Sequence, residues 1–274
     1  MKKKIWKIVA LVTALALILV IASFANSLVG NPVSKFLARR GAEKYLEENY
    51  AQTDYYLEDL GFNFKFVCYY AHIASESSGD TRFSLRIDML GRVYHDTYED
   101  VTSGFVTSSR LDQEYRTLTD RVFDDPSFPF ARDIGYGTLE IHGREYIGTE
   151  SSYDIPHYSL VREDLILDHL YDIRELGARA GHLIVYVDSD TVTVEKAAEI
   201  MLEIRKLFDE AGVPFRAMDF TLQLPRPEDG PREEVYVRAR DFPYADIYAE
   251  GMTERVAAAE EAVSAYYAEL DSQK

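Results

Sequence analysis

The sequence predicts an α+β protein in three parts: an N-terminal transmembrane helix followed by two compact α+β domains. Three observations carry that expectation. Residues 8–25 are almost wholly apolar, with Thr13 and Ser23 the polar exceptions. Beyond residue 40, stretches of period two alternate with stretches of helical period. Between the two halves, Asp124-Asp125-Pro126-Ser127-Phe128-Pro129 has the composition of a linker. Hydrophobic residues make up 47% of the 274, which permits a packed core and argues against wholesale disorder.

Residues 1–30 read as cytoplasmic lysines and an anchor. A bilayer core needs about 20 apolar residues in a helix. Eleven residues between Ile8 and Ala25 are Leu, Ile, Val or Phe, each favouring insertion by about 0.3–0.6 kcal/mol near the centre. Lys2, Lys3, Lys4 and Lys7 precede the run, so the short amino end is expected inside and the globular part outside, as a single-pass protein of the cell membrane. The competing reading is a cleaved signal peptide: Ser23-Phe24-Ala25 fits a small-x-small site, with cutting after Ala25 and secretion.

Residues 31–125 read as a first domain. Asn31-Pro32 ends the apolar helix, because the residue before proline avoids helical geometry. A second helix starts near Ser34. Phe62, Phe64, Phe66, Cys68 and Tyr70 alternate with Asn63 and Lys65, which predicts one half-buried strand. Ser75 to Asp80 is a polar turn, Phe83, Leu85 and Ile87 form a second strand, Met89-Leu90-Gly91 turns the chain, and Val93 to Tyr98 is a third. Leu111, Tyr115, Leu118 and Val122 then mark a helix. Helix, meander, helix resembles a cystatin- or PepSY-like architecture in element order.

Residues 126–274 read as a second α+β domain, a sandwich for which a ferredoxin-like arrangement is one option. A strand is expected near Tyr136 to His142 and an amphipathic helix over 160–178. Leu183 to Val187 is an apolar strand, and Thr193 caps a helix running to Gly212. Met218, Phe220, Leu222 and Leu224 alternate as a strand, joined to the 183–187 strand by a right-handed parallel crossover. A proline-rich loop spans 225–232, Val235 to Ala239 is a partner strand, and a last helix covers about 252–270 with Val256, Val263, Tyr267 and Leu270 inward.

Four segments, GNPVSKFLARRGAEKYLEENY, GRVYHDTYEDVTSG with RLDQEYRTL, AGHLIVYVDSDTVTVEKAAEIMLEIRKLFDEAGVPF and DFPYADIYAEGMTERVAAAEEA, resemble the YfjL-like proteins of Gram-positive bacteria. The resemblance covers nearly the whole chain after Gly30. It implies one membrane-spanning helix and two small outer domains. It assigns no activity, so no catalytic residue is carried over.

Charge narrows the function classes. The net charge is −17, and no acid occurs in residues 1–40, so the remainder carries 23 basic against 47 acidic residues, or −24. Such a surface repels phosphate backbones and excludes nucleic acid as a partner. The single cysteine, Cys68, allows no internal disulfide; its place among Phe64 and Phe66 makes it a core residue.

Candidate chemistry is sparse. Asp164, Asp168 and Asp172 would share one helix face with His169 beside them, a carboxylate row that could hold a divalent cation. Asp188 and Asp190 end a strand where a helix begins, with Glu199 at the twelfth place of a calcium-loop pattern, but Val192 and Thr193 stand where that loop needs an oxygen ligand and a glycine. His95-Asp96 could orient a proton acceptor, with Ser103, Ser108 and Ser109 downstream but no nucleophile elbow. Each has a plainer reading as a solvated helix face, a capping turn or a cross-strand pair. Twenty tyrosines, with doublets at 55–56, 69–70 and 266–267, offer surfaces for peptides or glycans. No zinc, phosphate-loop or dinucleotide motif occurs, and no cofactor or metal is expected. The expected function is a membrane-tethered, extracytoplasmic, non-catalytic module that binds or modulates an envelope protein or glycan. An envelope hydrolase, in which two of His95, Asp96, Asp188 and Asp190 converge in a cleft, and a divalent-cation binder are the alternatives.

Overall fold

The structure, a computed structural model, describes residues 2–147, 155–227 and 229–272, without some side chains of the first and last helices. The chain divides into two compact units, residues 1–106 and 107–274. Both combine helices with antiparallel or mixed sheet, so the α+β class holds.

The expected transmembrane helix does not hold. The stretch is helical, as α1 (Lys2–Val29). Yet among the described residues no helix is long and apolar enough to cross a membrane. Ala25, the alternative cleavage residue, lies outside the described side chains.

The first unit continues with α2 (Pro32–Asn49), whose start the sequence sets twice over. Asn31 accepts the Ser34 amide at 2.8 Å, and Pro32 occupies the first turn, where its missing N–H costs nothing. Four strands follow in an antiparallel meander: β1 (Tyr55–Asn63), β2 (Cys68–Ser75), β3 (Arg82–Ile87) and β4 (Val93–Asp96). The single strand expected over 62–70 is instead a hairpin. Asn63 pairs with Cys68, and Asn63 Oδ1 takes the amides of Lys65 and Phe66 at 3.0 and 3.3 Å. Local side-chain bonding at an Asn overrides the alternation. Phe64 and Phe66 are therefore exposed rather than inward. Ala38, Ala42 and Leu46 of α2 lie on Leu60, Tyr69, Ala71, Ile73, Phe83, Leu85 and Ile87 of the sheet. Small residues on α2 let the backbone approach closely. Gly91, at φ +84°, would place a Cβ 2.4 Å from the Leu37 carbonyl oxygen. The short α3 (Tyr98–Thr102) follows the meander.

The long helix α4 (Phe105–Phe123) leads into the second unit. There β5 (Arg132–Leu139) pairs antiparallel with β8 (Gly181–Asp188), β8 pairs parallel with β9 (Ala217–Gln223), and β9 pairs antiparallel with β10 (Tyr236–Pro243). A small parallel pair, β6 (Ile141–His142) and β7 (Leu160–Val161), lies between β5 and β8 in sequence. The expected parallel crossover exists, through α6 (Val194–Ala211). Thr193 caps its start and Gly212, at φ +63°, ends it. The ferredoxin-like option fails: that fold splits its βαβ units with an intervening strand, whereas β8 and β9 are neighbours and the sheet runs in sequence order.

The helix expected over 160–178 is mostly loop. Only α5 (Ile173–Ala180) forms, capped by Asp172, and Asp168 sits at φ +59°. The last helix, α7 (Met252–Ser272), matches expectation at Val256 and Val263, but Tyr267 is exposed; Leu270 lies outside the described side chains. Leu183, Val185 and Val187 of β8, and Met218, Phe220 and Leu222 of β9, face one core with Ile200, Met201, Ile204 and Phe208 of α6. The alternate residues of the same strands face the other way, and they build the site.

Candidate functional site

His182 is the centre of that second face. Period two sends Leu183 into the core and leaves His182, Ile184 and Tyr186 on the opposite side of β8. By the same rule Asp219 projects from β9, beside Ile184 in the register. The register of β10 slips between Ala239 and Phe242, and Asp241 within the slip takes φ +47°. A bulge re-aims a side chain, and Asp tolerates this left-handed region better than most residues. The Asp241 amide thereby reaches Asp219 Oδ1 at 2.6 Å. Its carboxylate accepts the Tyr158 hydroxyl, also at 2.6 Å.

The imidazole of His182 is 6% exposed and bonded at both nitrogens. Nε2 lies 3.1 Å from Asp219 Oδ1, and Nδ1 lies 2.8 Å from the Tyr158 hydroxyl oxygen. Tyr158 has one proton, and Asp241 receives it. The proton in the His182–Tyr158 contact must then come from Nδ1, while Nε2–H donates to Asp219. His182 is therefore an imidazolium. Glu140 and Asp241 oxygens, 3.8 and 3.9 Å from Nδ1, complete its counter-charge. Burial alone would push the imidazole pKa down, but the Asp219 hydrogen bond and the three carboxylate charges outweigh it and hold it above the ordinary value of 6.5. Burial likewise pushes Asp219 up, yet His182 and the Asp241 amide hold it below its ordinary value. Burial, then the Asp241 bond, drives Tyr158 far up, so its phenol stays protonated.

A groove of about 360 Å³ opens over this cluster, walled by Ile184, Arg240 and by Ala259, Ala262, Val263 and Tyr266 of α7. It continues into a wider one of about 850 Å³ lined by Tyr186, Thr221, Gln223, Tyr236, Arg238 and Tyr267, with Asp219, Arg240, Val263 and Tyr266 common to both. Arg238 stacks over Tyr236 at 4.2 Å and Arg240 over Tyr266 at 5.4 Å. Side chains occupy amides on both edge strands of the sheet. Glu260 of α7 takes the Arg238 amide on β10. Thr119 and Asp112 of α4 take the Gly137 and Leu139 amides on β5, at 2.9 and 2.7 Å.

The residues singled out from the sequence lie elsewhere. Asp164 pairs with Arg144, Asp172 is a helix cap, and Asp168 is an exposed turn residue, so the three share no helix face. Asp188 meets Arg232 and Gln223, while Asp190 is exposed and Glu199 pairs with Lys196. Among the described residues no group of three or more His, Cys, Asp or Glu side chains is placed to hold a metal ion. His95 is exposed, whereas Asp96 accepts Tyr45 and Tyr50 hydroxyls at 2.5 and 3.2 Å. Burial, with Asp96 beside it, pushes the Tyr45 phenol up to about 12. Cys68 is buried. Of the tyrosine doublets, 266–267 reaches the groove; Tyr69 is core and Tyr55 joins the Tyr50, Phe83 and Tyr98 cluster. Glu140, Tyr158, His182, Asp219 and Asp241 escaped sequence reasoning. The visible signal was a titratable residue, His182 or Asp219, set at an alternate position in a largely apolar strand.

Among curated proteins and solved structures, none matches the chain. Two family models do. Residues 2–97 match the YfjL-like N-terminal domain and residues 114–257 the YfjL-like C-terminal domain. Together they span most of the sequence in the same order, and the chain belongs to the YfjL-like family.

Proposed function

We propose that this chain is a non-catalytic binding module, and that the groove between α7 and the sheet face turned away from α6 holds an acidic glycan. The observation that carries this reading is the groove wall itself: four tyrosines and two arginines, with every lining acid already engaged by His182, His142 or Tyr158. Tyrosine faces suit sugar rings, and guanidinium groups suit carboxylates. A peptide is the poorer fit. An extended peptide gains most of its affinity from backbone pairing at a sheet edge, and side chains occupy the outward amides at Gly137, Leu139 and Arg238. Catalysis is disfavoured because both His182 nitrogens are committed as donors, which leaves no base there.

Calorimetric titration of the full chain with oligogalacturonate and with neutral dextran fragments tests this. The acidic sugar should bind saturably and the neutral one should not, and Arg238→Ala should weaken binding about tenfold, the share of one charge-assisted contact. Equal binding of both sugars, or no heat with either, would refute it.

A further inference from the structure

We infer that one end of the first unit docks on an anionic lipid surface. This rests on residues separate from the groove. In an antiparallel meander the first and third turns fall at the same end of the sheet. Here those turns are 64–67, between β1 and β2, and 88–92, between β3 and β4. The start of α2 is at that end too, since Ser34 Oγ lies 2.8 Å from the Tyr69 hydroxyl, at the base of the first turn. Gly91, in the other turn, is packed against Leu37 of α2.

All three segments expose large apolar side chains. Phe64 and Phe66 are 64% and 60% exposed, Leu90 66%, and Val33 and Phe36 of α2 67% and 56%. The first turn is held in shape by the Asn63 side chain. It also keeps Val67, a β-branched residue, at φ +52°. That conformation is costly for such a residue, and relaxing it would change the presentation of both phenylalanines. Arg40 stacks over the Phe36 ring at 5.2 Å and Lys65 over Phe66 at 5.6 Å, with Lys35 next to Phe36 in sequence; no acid occurs in 30–41 or 61–68, and Asp88 of the other turn is paired with Arg92 at 2.7 Å. A basic, aromatic end on a chain of charge −17 is complementary to an anionic surface.

The shape selects lipid over protein. Phe64, Phe66 and Leu90 lie on exposed turns and Val33 and Phe36 on the first two turns of α2, and turn side chains enter a deformable interface more readily than a packed protein face. Aromatic rings favour the headgroup boundary, and basic side chains beside them add electrostatic attraction. The docking is interfacial and requires no spanning segment.

Vesicle sedimentation of the full chain tests this, with phosphatidylcholine vesicles with and without phosphatidylglycerol. The chain should partition to the anionic vesicles and leave them at high salt. Lys65→Ala should lower the partition coefficient about fivefold, and Phe64→Ser with Phe66→Ser should lower it at least about tenfold. Both changes lie on exposed positions, and circular dichroism will show whether the fold is kept. Equal partition to neutral vesicles, or unchanged partition of folded variants, overturns the proposal. So does a chain that stays in solution and self-associates through the same residues, which would make this end a contact between copies.

Discussion

Replacing Asp219 by Asn tests the charge assignment at His182 directly. Asn keeps an acceptor for His182 Nε2 and for the Asp241 amide, so the geometry survives while the counter-charge goes. A hydrogen bond to a charged group contributes about 1.5–3 kcal/mol. Asp219 is 38% exposed, so solvent screening reduces the expected loss to about 1–2 kcal/mol. In a unit of this size that lowers Tm by roughly 2–8 °C. The pH dependence carries the argument. The folded pKa of His182 is raised, so its stabilisation is fully present below the unfolded value of 6.5 and is lost as pH rises through the higher folded value. Asp219, held below its ordinary value, remains ionised across that range. Thermal denaturation should therefore show the full deficit at about pH 5.5, and the deficit should shrink as the pH rises through the folded value. A deficit that grows as the pH rises above 6.5 would mean that His182 is neutral in the fold and the proton assignment is wrong.

Two further substitutions probe the scaffold. Gly91→Ala should destabilise the first unit by more than about 2 kcal/mol, since it combines a left-handed backbone with a Cβ 2.4 Å from the Leu37 carbonyl oxygen; limited proteolysis of β3 and β4 should then quicken ahead of the second unit. Tyr115→Phe removes the donor that the fully buried Tyr115 hydroxyl gives to the Pro214 carbonyl at 3.0 Å. It should cost about 1–3 kcal/mol of unfolding free energy in denaturant titration.

Much of the fold was legible because most of the strands and long helices carry their own periodicity. The β8–α6–β9 crossover could be read from an apolar strand, the Thr193 cap and the Gly212 stop. Legibility failed where a single polar side chain decided the backbone. Asn63 turns a period-two run into a hairpin, and Asp172 starts a helix late, after a loop whose Ile166 and Leu170 are exposed rather than packed. The site was harder still. Its residues come from β8, β9, β10 and two loops, and their register depends on a bulge that alternation does not reveal. The acids that drew attention in the sequence sit in runs, and runs of acids are what solvated faces and caps use. The spanning segment was expected from apolar length alone, and that expectation does not survive among the described residues.

The two sheets differ in how far each strand must look for its neighbour. In the first, every strand bonds to the next one in the chain. In the second, β5 must wait for β8 and β8 for β9, with loops and whole helices made in between. Contacts near in sequence close faster than distant ones. As the chain leaves the ribosome, the meander is thus complete while β5 still lacks its mate, so the interval of vulnerability during synthesis belongs to the half that carries the groove.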